Sequence, residues 1–215
     1  MASPEFAALI GDVVGSRGLP DRAAAQTRIS VVLAEVAERL AERLAPGQRL
    51  EVTVGDEFQG GFATVADAAH AALLVRLSLL PEVDVRCGIG WGTTTVLDAA
   101  ARPLLQDGSA WWSAREALDV LGTRARSRSR TWTRGPEQDA VNAYLLTRDA
   151  LVDRSGERAR RILRLLLLGR SQREIAELEG ITPAAVSQQA ARGVGAVRDA
   201  EVLFVEQARS RAGGG

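Results

Sequence analysis

Apolar residues recur along this chain with two different periods. FAALIGDVV (Phe6–Val14) is an almost unbroken apolar run holding Gly-Asp near its end, and predicts a buried strand. From Asp21 to Leu44, residues Ile29, Val32, Leu33, Val36, Leu40 and Leu44 fall at helical spacing, with charges on the other face, until Pro46-Gly47 stops the helix. LEVTV (50–54) and FQGGF (58–62) predict two short strands joined as a hairpin through Gly55-Asp56-Glu57. Val65–Leu80 predicts a second amphipathic helix, stopped by Pro81. The stretch 83–96 is a long strand signal punctuated by Gly88, Gly90 and Gly92. A third helix over Asp107–Leu121, a strand over Arg124–Thr133 and a helix over Pro136–Leu151 complete the series. The order β-α-β-β-α-β-α-β predicts an α+β layer, a mostly antiparallel sheet with helices packed on a face.

The pattern then changes to helices alone. Arg158–Leu168 predicts a helix with Ile162, Leu165 and Leu166 on one side, closed by Gly169. Ser171 with Glu174 three residues on forms a capping box for a second helix, Gln172–Glu179, which stops at Gly180. Thr182-Pro183 opens a third, with Thr at the cap and Pro at the first position. Two short helices joined by a Gly-containing turn are a helix-turn-helix layout, with Ile175, Ile181 and Val186 as its shared core. On that reading Thr182–Arg192 enters a major groove, Ser187 and Gln188 face outward, and Arg170 or Arg192 holds phosphate. The bland alternative is a three-helix bundle that binds protein or packs on the front of the chain. Val197–Val205 continues as an amphipathic helix suited to dimerisation.

Charge follows the same division. Lys is absent from the 215 residues, so every basic residue is Arg. Residues 1–150 hold 16 Arg against 19 acids, and residues 151–215 hold 11 against 8, so a neutral total conceals an acidic front and a basic tail. That boundary predicts two domains, 1–150 and 151–215. One Cys (Cys87) and one His (His70) exclude a disulfide scaffold and a structural zinc site, and both read as structural residues. No apolar run approaches the ~20 residues of a membrane span. The expectation is a soluble, cytoplasmic chain.

Candidate chemistry in the front domain begins with two acids beside glycines. Asp12 lies near the end of the first strand and Asp56 at the hairpin tip, so both reach one sheet edge if those strands are neighbours. With Glu57 they would hold one or two Mg²⁺ ions, which prefer oxygen ligands and substrate phosphates. Val13, Val14, Gly15, Ser16 and Arg17 form a turn toward a helix start, where free N–H groups and a cation suit a phosphate. The alternative is that both Asp residues simply serve turns. Arg124, Arg126, Arg128 and Arg130 alternate, so a strand would place them together as an anion groove or as a charged edge. Of the adjacent Trp111 and Trp112, one packs inward and the other is partly exposed.

Four short motifs occur in one order: Gly-Asp-Val-Val-Gly, Val-Gly-Asp-Glu-Phe, Cys-Gly-Ile-Gly-Trp-Gly and Asp-Gly-Ser-Ala-Trp-Trp-Ser-Ala-Arg-Glu-Ala-Leu. They resemble the palm of class III nucleotidyl cyclases and GGDEF domains, and over roughly residues 5–150 the chain is most similar to the SatD family. The resemblance implies a ferredoxin-like, palm-type antiparallel sheet with helices on one face, followed by an all-α helix-turn-helix domain. It implies that Asp12, Asp56 and Glu57 match metal positions. It also shows departures, with Val52 where ATP-using cyclases read the base, and Trp112 and Glu116 where they carry Asn and Arg. The tail resembles the helix-turn-helix of sigma-factor region four.

Together these features lead to the expectation of a transcription regulator, a homodimer on double-stranded DNA. Its cyclase-like front would bind a nucleotide or other phosphorylated ligand, with Mg²⁺ as the companion ion and without turnover. The alternatives are a metal-dependent nucleotidyl cyclase or nucleotide-polymerising enzyme with a DNA-binding tail, and a scaffold that uses neither DNA nor nucleotide.

Overall fold

β1 (Glu5–Val13) is the centre of the front unit because its apolar run leaves no solvated face: Phe6 to Leu9 are all at most 4% exposed. In the computed structural model, which describes residues 5–101 and 103–213, β1 is followed by α1 (Arg22–Arg39), β2 (Leu50–Val52) and β3 (Phe58–Phe62). Then come α2 (Val65–Leu79), β4 (Val85–Thr93), β5 (Thr95–Asp98), β6 (Leu105–Asp107), α3 (Ser109–Gly122), β7 (Thr131–Arg134) and α4 (Gln138–Arg154). The main sheet runs β2-β3-β1-β4-β7, with β4–β7 parallel and the other pairings antiparallel. With α1 and α2 following β1 and β3, the first four strands have the split βαβ order of ferredoxin-like sheets. The α+β class and mostly antiparallel sheet are as the periodicity predicts. The chain divides into two compact units, Met1–Leu146 and Thr147–Gly215, so the division falls inside α4 rather than after residue 150.

Helices cover both faces of the sheet, not one. Gly88, Gly90 and Gly92 alternate along β4, and a Cβ on any of them would collide with α3, whose backbone at Ala110 and Ala114 lies directly over the strand. Phe6, Ala8 and Ile10 of β1 share that side with Trp111, Leu118 and Leu121, and Phe6 meets the Trp111 ring edge-on at 5.7 Å. The opposite side carries Ala7, Leu9, Cys87 and Ile89, all buried, and α2 packs on β1, β3, β4 and β7. α1 in turn packs on α2 and β2. This makes α2 buried on nearly every side, where an amphipathic helix is expected from the sequence. Its start is capped by Thr64, whose Oγ1 accepts the Asp67 N–H. His70 and Cys87 are both buried, as expected of structural residues.

The segment predicted as a strand over Arg124–Thr133 is a 3₁₀ helix at Arg124–Arg126, a turn at Ser127 and Arg128, and β7 from Thr131 only. The four arginines therefore do not form one row. Arg126 lies 4.9 Å over the Trp132 ring, Arg130 donates to Asp84 at 2.7 Å, and Arg124 and Arg128 are exposed. The long strand signal over 83–96 divides into β4 and β5, and β5 pairs with β6 in a separate two-stranded sheet.

The second unit contains α5 (Glu157–Leu167), α6 (Gln172–Glu179), α7 (Pro183–Gln189) and α8 (Gly195–Gly213). Ser171 and Glu174 make the reciprocal capping box, Gly180 turns the chain at φ 62°, and the Thr182 hydroxyl accepts the Ala185 N–H at 3.2 Å. Ile162, Leu163, Ile175 and Val186 are fully buried between these helices, while Ile181 is half-buried. A π turn over Ala190–Val194, broken at Gly193 with φ 150°, separates α7 from α8. Arg148 is sealed with Asp149 and Glu201, at 3.2 and 3.4 Å, all three side chains at most 3% exposed.

Candidate functional site

The antiparallel register of β1 and β4 places Asp12 directly opposite Arg86 on the α3 side of the sheet. Arg86 Nε donates to Asp12 Oδ1 at 2.7 Å and its second nitrogen to Oδ2 at 2.8 Å, a bidentate fork. The hydrogen bond that Arg86 donates to Asp12 raises the guanidinium pKa further above its ordinary value, against the opposing effect of burial. At the β2–β3 tip, Gly55 takes φ 69° and the Thr53 N–H donates to the Glu57 carbonyl at 3.0 Å. That closure presents Glu57 to α3, where Arg115 donates to both carboxylate oxygens at 2.9 and 2.8 Å. Asp119, one helical turn past Arg115, acts on both guanidinium groups, and Asp12 acts on Arg115 as well. The result is a five-membered charge cluster: Asp12, Glu57 and Asp119 with Arg86 and Arg115.

Arg86, Arg115 and Asp119 are absent from the sequence-level candidates. The cyclase-based correspondence assigns Glu116 to the Arg position, but Glu116 is solvent-exposed and its neighbour Arg115 reaches the hairpin. Trp112 is 60% exposed and its Nε1 donates to Asp107, whereas Trp111 is buried.

The residues present do not fit the Mg²⁺ that the cyclase resemblance implies. Both oxygens of Asp12 and both of Glu57 already accept hydrogen bonds from arginine. Asp56 does not join them in a ligand set. Among the described residues, no group of three or more Asp, Glu, His or Cys side chains is placed to hold a metal ion.

Asp56 instead lines a cavity of about 250 Å³ between the hairpin tip and the β1–α1 turn. Val13 and Ser16 of the predicted phosphate turn are in the same wall, with Arg22 and Gln26 from α1 and an apolar side made by Leu19 and Ile29. Gly15 has φ 69° and opens a 3₁₀ turn over Ser16–Gly18, in which the Gly18 N–H donates to the Gly15 carbonyl. The Val14 N–H donates to the Asp84 carbonyl at 2.9 Å, so it does not face a ligand. The N–H groups of Gly15, Ser16 and Arg17 meet no acceptor among the described residues. Of the five predicted residues, Val13 and Ser16 line the cavity, and Arg17 is exposed outside its lining.

Residues 6–132 match the sequence profile of the SatD family. The chain belongs to the SatD family. The matched span contains Asp12, Asp56, Glu57, Arg86, Arg115 and Asp119, and ends in β7, so the second unit lies outside it. Solved structures with a similar backbone include a bacterial light-regulated adenylyl cyclase, at 11% identity and TM-score 0.44, covering 62% of this chain and 77% of that one. Another is the monomeric guanylyl cyclase domain of the RhoGC fusion protein from the aquatic fungus Blastocladiella emersonii. It is 18% identical with TM-score 0.37, covering 54% of this chain and 74% of that one. No curated protein sequence matches the chain.

Beyond the SatD span, the residues expected to contact DNA are all exposed: Arg170, Thr182, Ser187, Gln188 and Arg192. Arg170 is paired with Glu174 at 3.1 Å, and the Thr182 hydroxyl is engaged as a helix cap. Ser187 and Gln188 follow the fully buried Val186 and project on the outer side of α7. Arg192 has no ion-pair partner among the described residues. Arg161 ties α5 to α6 by donating to Glu179 at 2.8 Å, a hydrogen bond that lowers the Glu179 pKa against partial burial.

Proposed function

We propose that the chain is a DNA-binding transcription regulator whose SatD front unit binds a nucleotide or another phosphorylated ligand without converting it. The observation that carries the reading is α7. It is set by a capped α6, a left-handed Gly180 turn and a Thr182-Pro183 start, and its outer side offers Ser187, Gln188 and, just beyond, Arg192. A Gln side chain can make two hydrogen bonds to an adenine edge, and an exposed Arg neutralises a phosphate. One module of this size makes few base contacts, so a homodimer on two half-sites is the expected binding form.

For the front unit, the support is the cavity beside the β1–α1 turn, with Ser16 and Arg22 in its lining. Ligand binding without conversion is supported by Asp12 and Glu57, which are held by arginine rather than available to activate a reacting group. A ligand changes DNA affinity only if it binds the two functional states unequally. No described helix is long and apolar enough to cross a membrane.

Recovery of genomic DNA fragments on the purified full-length chain, with and without a panel of nucleotides, tests both halves. The expected result is a recurrent sequence whose recovery changes with one nucleotide. Failure to retain any duplex at low salt overturns the DNA half. Metal-dependent nucleotide turnover, abolished by Asp12→Ala and Asp56→Ala, overturns the ligand half in favour of an enzyme.

A further inference from the structure

Two of the three acids that the cyclase resemblance assigns to metal have another counter-ion here. Asp12 accepts from Arg86 at 2.7 and 2.8 Å, and Glu57 accepts from Arg115 at 2.9 and 2.8 Å. Each guanidinium fork engages both oxygens of its carboxylate, and these are the atoms a small octahedral cation would need. Arginine keeps its proton across the whole range in which proteins fold, so raising the pH does not release these carboxylates. The five charges of the cluster, three acids and two arginines, sum to a single negative charge. A divalent ion entering it would gain little attraction and would lie beside two fixed positive groups.

We infer that Arg86 and Arg115 take the place of the divalent cations in this SatD unit, which balances its acidic sheet edge internally and binds its ligand without metal. The ligand clause rests on the function proposed above, whereas the substitution of arginine for metal stands on the two ion pairs alone. The two fail separately, because metal uptake is read on the protein without nucleotide or DNA.

The experiment is a Mn²⁺ titration of the full chain, with free Mn²⁺ followed by its paramagnetic resonance signal. Wild type is expected to leave Mn²⁺ free through the millimolar range, and EDTA is expected to leave its thermal midpoint unchanged. R86Q and R115Q, each checked for folding by circular dichroism, are expected to take up Mn²⁺ at least tenfold more tightly than wild type, and D12N in the R86Q background to lose that gain. Stoichiometric Mn²⁺ uptake by wild type, removed by Asp12→Asn, overturns the inference. So does a folded R86Q and R115Q pair that gains no affinity, since arginine would then not be what excludes the ion. Should either variant fail to fold, the remaining one and the wild-type titration decide.

Discussion

Asn142 closes two hydrogen bonds on the backbone of Thr133. Its Oδ1 accepts the Thr133 N–H at 2.8 Å and its Nδ2 donates to the Thr133 carbonyl at 3.0 Å. β7 is an edge strand of the main sheet, and both residues are at most 5% exposed, so water cannot take over these groups. Asn142→Ala is expected to cost about 2–6 kcal/mol, from two buried backbone groups left without partners at about 1–3 kcal/mol each. Urea unfolding of the full chain measures it. Asn142→Asp is expected to be no better, because a carboxylate cannot donate to the Thr133 carbonyl. A change under about 0.5 kcal/mol for both would remove the clamp from the account of β7.

Asp84 predicts a pH dependence. Burial alone would push its carboxyl pKa up, but hydrogen bonds and charges from Arg76 and Arg130 outweigh burial and hold it below the ordinary value. The unfolded chain therefore binds the proton more readily than the folded one. The stability contributed by Asp84 is fully present above the ordinary aspartate pKa of about 3.9 and is lost as pH falls through the lower folded value. Asp84→Asn is expected to destabilise the front unit at neutral pH and to flatten the acid limb of its stability curve. Parallel acid limbs in the two proteins would show that Asp84 is not the group being titrated.

Gly90 tests the close packing of α3. A Cβ there would meet the Ala110 carbonyl and the Ala114 amide, both backbone, which cannot swing aside as a side chain can. Gly90→Ala is expected to cost at least about 1–3 kcal/mol, the range for overpacked cores, and to shift the α3 backbone. Gly18 has open space at the same position and serves as the control: Gly18→Ala is expected to change the thermal midpoint little.

These residues also show what is legible in the sequence. The glycines of β4 are visible as interruptions, but their reason is a helix that arrives some twenty residues later. The order of strands and helices is legible because β1 is a nearly continuous apolar run and α1 keeps helical spacing through Ile29, Val32, Leu33 and Val36. The Arg124–Arg130 alternation misleads for a physical reason: its intervening Ala and Ser residues offer no apolar face to bury, so a period of two has nothing to fix it as a strand. In the site, Asp12 and Glu57 stand out beside turns, yet Arg86 and Arg115 lie 74 and 58 residues away from them. Their meeting depends on the β1–β4 register and on the phase of α3, in which Ala114, Ala117 and Leu118 face the core and Arg115 reaches the hairpin. Local pattern holds neither quantity. The capping box at Ser171 is local, and is legible to the residue.

On the proposed function, Gln188 and Arg192 would make two different kinds of contact with DNA. Gln188 is exposed on α7, the place for reading a base edge, so Gln188→Ala is expected to relax preference at one base pair by about 1–3 kcal/mol while leaving salt dependence unchanged. Arg192 is exposed just past the helix, so Arg192→Ala is expected to weaken all duplexes alike and to reduce the slope of log affinity against log salt by about 1. Both side chains are surface groups, and neither substitution is expected to move the unfolding midpoint appreciably. Fluorescence anisotropy with a recovered site and a scrambled duplex, at several salt concentrations, reads both quantities at once. If Gln188→Ala and Arg192→Ala leave affinity, preference and slope untouched while the protein still binds duplex, then α7 is not the element in the groove.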